Sequence, residues 1–246
     1  MAKLLGAKIG AYHTLKDWGL YLRIGSPKIG KAETDEHLVQ VTGSDTLLNL
    51  TNSFDGKPHY KKRTITMELK CLAPKKEWPG LYSKIANAIH GRWLQCKFDD
   101  DSGFYWEGLW SVAQTRDQNS SAFTITGTCN PFKYSIYDGT DNWLWDDFNF
   151  DTDIVRDYTN IPLKAGEDVT VSITGAPRTA GIYFKRSETV ADITVYLNSI
   201  VVGILAKTEE WQYIEGLAMP DGVVSTLAFA ASADCSISIK YLGASL

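Results

Sequence analysis

The sequence predicts a mainly β protein in two parts. Residues 1–140 are expected to form an α+β domain with one helix packed on β-sheets, and residues 141–246 an antiparallel β-sandwich. Three observations carry this reading. Only one stretch of the 246 residues has helical periodicity. Short alternating apolar runs, separated by Gly, Pro, Asn and Asp turn chemistry, fill much of the remainder. The charge also changes sign along the chain. Residues 1–140 hold 18 Lys and Arg against 14 Asp and Glu, a net of +4, whereas residues 141–246 hold 7 against 15, a net of -8. The turn-rich run Asp138-Gly139-Thr140-Asp141-Asn142 marks the boundary, to within about ten residues.

In the first part, residues 19–24 and 38–41 read as short strands. Residues 63–72 alternate, with Ile65, Met67, Leu69 and Cys71 on one face and Thr64, Thr66, Glu68 and Lys70 on the other, as a half-buried strand requires. The helix is expected over 79–90. Leu81, Tyr82, Ile85, Ala88 and Ile89 share one face, Pro79 suits a first turn, and Gly91 suits the stop. Residues 93–98 and 104–110, joined by Asp99-Asp100-Asp101-Ser102-Gly103, make a β-hairpin signal, and 122–129 adds a strand.

The second part shows no helix. Strands are expected over 169–173, 181–186, 192–197, 201–205, 211–217, 226–231 and 235–242, with turns such as Gly175-Ala176-Pro177 and Pro220-Asp221-Gly222. This many short strands at this spacing point to a sandwich or jelly roll.

Composition narrows the function. A net charge of -4 and a pI near 5.6 argue against a general nucleic-acid binder. No apolar run approaches the roughly 18 residues that span a bilayer, and the N-terminal residues lack the continuous apolar core of a signal peptide. Synthesis and residence in the cytoplasm are therefore expected. Cys71, Cys96, Cys129 and Cys235 are widely spaced within strand-like runs, the pattern of buried, reduced thiols.

The usual catalytic patterns fail on inspection. Gly25-Ser26-Pro27-Lys28-Ile29-Gly30-Lys31-Ala32 imitates a phosphate-binding loop, but Ala32 lacks the Mg²⁺-binding hydroxyl and a strand-like run follows, so it reads as a loop. His13, His37, His59 and His90 lie in four different segments, and His90 suits a helix C-terminus. Glu209 and Glu210 are adjacent, so a strand points them to opposite faces and they make a poor acid/base pair. Asp146, Asp147, Asp151 and Asp153, interleaved with Trp143, Trp145, Phe148 and Phe150, lack the register of a calcium loop. They read as an extended edge segment, with a cation site against the sandwich as the alternative. No enzymatic activity, catalytic residue, metal or cofactor is expected.

Two sets of residues stand out for contact. The basic run that ends in Tyr60, Lys61, Lys62 and Arg63 is a candidate subunit contact or a solvated strand edge. Trp211 and Tyr213, two apart on one strand face, are a candidate glycan contact, because the C–H face of a pyranose is apolar; packing in the core is the alternative.

Several segments, in order, resemble the N-terminal domain of the distal tail proteins of long-tailed (siphovirus-type) bacteriophages and prophages. His13-Thr14-Leu15-Lys16-Asp17-Trp18-Gly19-Leu20 is similar to that family's opening strand and turn. Val41-Thr42-Gly43-Ser44-Asp45-Thr46-Leu47-Leu48-Asn49-Leu50-Thr51 resembles its V-P-G-x-D-G-x-L-D-L-T segment, with Thr42, Thr46 and Asn49 as departures. Tyr60-Lys61-Lys62-Arg63 and Cys129-Asn130-Pro131-Phe132-Lys133-Tyr134 resemble two further signatures. Lys207-Thr208-Glu209-Glu210-Trp211-Gln212-Tyr213 and Ile237-Ser238-Ile239-Lys240-Tyr241-Leu242 are similar to the closing strands of carbohydrate-binding-module or galectin-like sandwiches. The resemblance implies a virion structural protein: a homohexameric ring at the distal tail tip. Its partners would be the major tail protein ring on one side and a hub, fibre or lysin protein on the other. Receptor-binding proteins or cell-wall glycan would be met by the second domain. The alternative function is a carbohydrate-binding module protein that engages wall glycans through that sandwich.

Overall fold

The structure, a computed structural model, describes residues 4–53, 57–118, 120–140 and 157–246. The acidic segment with Asp146, Asp147, Asp151 and Asp153 lies outside the described residues. The protein is mainly β, as its alternating runs require, and it divides into two compact units, one up to Lys133 and one from Tyr134 to Ser245.

Unit 1 is an antiparallel sheet backed by one long helix. Its strands are β1 (Ala7–Ile9), β2 (Tyr12–His13), β3 (Leu20–Leu22), β4 (Lys28–Ile29), β5 (Leu38–Gln40), β6 (Leu47–Asn49), β7 (Arg63–Cys71), β8 (Arg92–Phe98), β9 (Phe104–Arg116) and β10 (Ser121–Cys129). They run β2-β1-β8-β9-β10-β7, with β3 and β4 both pairing with β7. The period-2 pattern is obeyed closely. Ile65, Met67 and Leu69 of β7 are buried together with Phe123 and Ile125 of β10 and Trp110 and Val112 of β9.

Helix α2 (Trp78–Ile89) covers this face through Ile85 and Ile89, one residue earlier than the sequence expectation. Gly91, with φ at +71°, turns the chain out of it. The buried indole of Trp110 donates to the Leu94 carbonyl at 2.8 Å. Its ring lies over Gly127, where a Cβ would come within 2.6 Å of the indole carbons.

Two local expectations change. The stretch similar to a strand and turn holds a single helical turn, α1 (Thr14–Trp18). His13 caps it, its Nδ1 accepting the Leu15 and Lys16 amides at 3.1 and 3.3 Å, and Gly19 (φ +64°) closes it. Five residues are too few to display a helical period. The phosphate-loop imitation is not wholly a loop either, since Lys28 and Ile29 pair with Thr66 and Ile65. His13 also fastens the β8–β9 turn: its Nε2 lies 2.9 Å from Asp99 Oδ1, while Asp99 Oδ2 accepts the Gly6 amide at 2.7 Å.

Strand β11 (Lys133–Ser135) crosses the divide. Unit 2 continues with β12 (Ile161–Leu163), β13 (Asp168–Thr174), β14 (Arg178–Arg186), β15 (Ile193–Leu197), β16 (Ile200–Leu205), β17 (Gln212–Tyr213), β18 (Val224–Ala231) and β19 (Cys235–Ser245). Two antiparallel sheets result, β17-β14-β19-β12 and β13-β18-β15-β16. One core joins them, with Phe184 of the first sheet edge-on to Phe229 of the second at 5.9 Å. Arg186 is buried, and its guanidinium donates to the carbonyls of Glu188, Ala191 and Ala206.

Candidate interaction surfaces

The largest departure from core-covering β structure is the ribbon of β5 and β6. Val39 faces Leu48, Leu38 faces Asn49 and Gln40 faces Leu47. Alternation therefore places Val39, Val41, Leu48 and Leu50 on one face. All four are 39–50% exposed, and the opposite face, which carries Leu38 and Leu47 beside Gln40 and Asn49, is exposed as well. No other described strand pairs with the ribbon, and no core lies beneath either side. It is an arm.

Its root is a continued ladder, in which Lys61 N–H donates to Glu33 O and Asp35 N–H to His59 O, each at 2.8 Å. A free-standing two-stranded ribbon is marginal in water, and exposed aliphatic side chains add to that cost. The arm is also acidic: between Ala32 and Gly56 the chain carries Glu33, Asp35, Glu36, Asp45 and Asp55 and no Lys or Arg.

The four residues singled out at 60–63 lie where the arm meets the body, and their side chains part there. Tyr60 is half-buried, its ring edge-on to Phe132 at 5.7 Å. Lys61 reaches Asp35 across 3.7 Å, and Lys62 is exposed. Arg63 falls in phase with Ile65 and Met67, so its side chain turns inward; it is 8% exposed and lies over the Trp106 ring at 5.1 Å. That phase was visible in the alternation of 63–72.

In the arm's own unit, Leu4, Leu5, Leu22, Arg23, Ile24 and Lys70 are among the residues that line an open pocket of about 580 Å³.

In unit 2, Trp211 and Tyr213 are 39% and 51% exposed, so neither packs in the core. Tyr213 pairs across the sheet with Tyr183, the ring centroids 5.3 Å apart and tilted by 42°. Nothing local linked Tyr183 to them, because the sequence separation is bridged only by the β14–β17 register.

Among the described residues, no reacting constellation assembles around the remaining chemistry-bearing groups. His13 serves Asp99 and the cap, His37 lies 3.7 Å from Asp35, and His90 accepts the Val112 amide at 3.2 Å. Burial raises the thiol pKa of Cys96 and pushes that of Cys129 to about 12, well away from a reactive thiolate. No group of three His, Cys, Asp or Glu among the described residues could hold a metal.

The molecule thus belongs to the class of mainly β proteins in which a helix-backed sheet with a projecting arm is followed by a β-sandwich. No family model and no curated protein matches the sequence. Among solved structures, the fold is similar to that of the SPP1 Dit (gp 19.1) protein, described as a paradigm of the hub adsorption apparatus in phages that infect Gram-positive bacteria. The match covers 99% of this chain and 100% of that one, with a TM-score of 0.56 and 12% sequence identity.

Proposed function

We propose that this chain is a non-enzymatic structural subunit of the tail tip of a long-tailed bacteriophage. Copies of it would form a ring that joins the tail tube to the hub or fibre and the receptor-binding apparatus. The arm carries this reading. A ribbon with exposed aliphatic side chains on both faces, and no core beneath it among the described residues, needs a partner, and a second copy supplies a fitting one. The pocket lined by Leu4, Leu5, Leu22 and Ile24 also carries the basic side chains of Arg23 and Lys70, whereas the arm is apolar and acidic. Arm into pocket is a head-to-tail contact, which closes into a ring when its rotation divides a full turn. Six copies are the number implied by the family resemblance. Tyr60, Lys61 and Lys62, at the arm's root, would meet the same neighbour.

The likeness to a hub adsorption protein along nearly the whole chain supports the location at the tail tip. The two faces of the ring are assigned on this reading to the major tail protein ring and to the hub, fibre or lysin protein.

Electron microscopy and sedimentation of the concentrated protein test the proposal. Rings are expected, Val39→Asp combined with Leu48→Asp should abolish them, and Ile24→Glu should weaken them. Particles that lack a ring both in concentrated protein and inside assembled tails would overturn it.

A further inference from the structure

We infer that the buried side chains of Arg63 and Trp106 form a receptor for one carboxylate, and that Asp45 at the arm tip of a second copy fills it. The inference rests on the assembly reading and deepens it, because it gives the arm tip a seat separate from the apolar pocket.

Two donors without acceptors lie side by side. Arg63 is 8% exposed and Trp106 3% exposed, and the guanidinium lies over the indole ring at 5.1 Å. Arg63 Nε and Trp106 Nε1 are closed off from solvent, and neither has a hydrogen-bond partner. The guanidinium makes no ion pair or hydrogen bond among the described residues. Burial lowers its pKa, and no carboxylate counters that lowering. Its terminal nitrogens are unpaired but keep some accessibility, so the seat can be entered. Arg186 shows the contrast: buried more deeply, it spends its donors on the carbonyls of Glu188, Ala191 and Ala206. An arginine keeps its charge, and a desolvated charge left unpaired is costly to the fold. One cation calls for one negative charge. A guanidinium fork beside an indole N–H suits the two oxygens of a carboxylate.

The arm tip offers that group. Asp45 lies in the turn between β5 and β6, and the turn is fixed without its help. Gly43 has φ at +82° and Ser44 N–H donates to Val41 O at 3.1 Å. Gln40 Nε2 donates to Ser44 O at 2.8 Å, and Thr46 N–H to Ser44 Oγ at 3.1 Å. An aspartate in a turn commonly bonds its own backbone. Here Ser44 fills that role, and the exposed carboxylate of Asp45 has no partner among the described residues. The arm's Glu33, Asp35 and Glu36 stand at its root, where Asp35 already meets His37 and Lys61. A carboxylate presented on a rigid projecting turn loses little entropy on docking. Within one chain neither group meets the other, so a neighbouring copy makes the pair.

A double-mutant cycle on the full chain, read by sedimentation and electron microscopy, tests the contact. Asp45→Asn and Arg63→Met should each weaken association roughly thirtyfold or more, and the double variant should be little worse than either. Arg63→Met should keep or raise the melting temperature of dilute protein, since an apolar side chain replaces an unpaired charge. An equimolar mixture of the two single variants retains one parental contact per pair, so it should give heterodimers and no rings. If Arg63→Met does not fold, Trp106→Phe, which keeps a ring beneath Arg63 and removes the N–H, takes its place in the cycle. Effects that simply add in the double variant would overturn the inference. Rings that persist through Asp45→Asn, while Val39→Asp with Leu48→Asp abolishes them, would overturn this contact alone. Absence of rings from the parent protein, both concentrated and in assembled tails, would remove the assembly reading and this contact with it.

Discussion

The hairpin of β9 and β10 and the arm of β5 and β6 are both antiparallel ribbons rich in aliphatic or aromatic side chains. In β10 the inward positions Ser121, Phe123, Ile125, Gly127 and Cys129 are buried in strict rhythm. In the arm every residue of both strands is exposed. Both ribbons carry apolar side chains, and their surroundings are opposite. An apolar strand face therefore calls for cover without specifying what covers it: the first ribbon is covered within its own unit, and the second is uncovered among the described residues.

The sharpest way to test that contrast is to damage each ribbon in turn. Phe123→Ala opens a void in a packed core and should cost about 3–5 kcal/mol, read as a lowered denaturant midpoint. A smaller effect is expected where the β8–β9 turn is fastened. Burial disfavours the charged form of Asp99, but the His13 hydrogen bond and the Gly6 amide outweigh it and hold the carboxyl below its ordinary range. A depressed folded pKa means that the stabilisation is full above the unfolded carboxylate pKa and is lost as the pH falls through the folded one. Because the pair is partly exposed, Asp99→Asn should remove only roughly 0.5–1 kcal/mol at neutral pH and flatten the acid limb of a stability-against-pH curve. The smallest change should come from the arm. Val39→Asp with Leu48→Asp should shift the unfolding free energy of dilute, monomeric protein by no more than about 0.5 kcal/mol, as surface substitutions do. A large loss there would mean that the arm is covered within its own chain, and the contrast would collapse.

How much of this was legible follows the same division. The β7 and β10 strands and helix α2 emerge from period alone, because their cover lies in the same unit and the pattern is long enough to show. Helix α1 does not, since its stability comes from the His13 cap and Gly19 and not from a repeating face. The second strand of the arm was hidden for another reason: Leu47-Leu48-Asn49-Leu50 lacks clean alternation, and only pairing with Leu38, Val39 and Gln40 sorts it into faces. Arg63 could have been placed inward from its phase with Ile65. Tyr183 could not have been linked to Tyr213, because the register that joins them is a tertiary fact.

Buried Arg186 carries a wider consequence. The Ala206 carbonyl that it holds also accepts from Thr208 and from Gln212, so an interior cation and the tryptophan-bearing turn hang from one oxygen atom. Geometry at the solvent boundary is thereby set from the centre of the sandwich. A substitution at that buried arginine would therefore shift the outer turn without altering any exposed side chain.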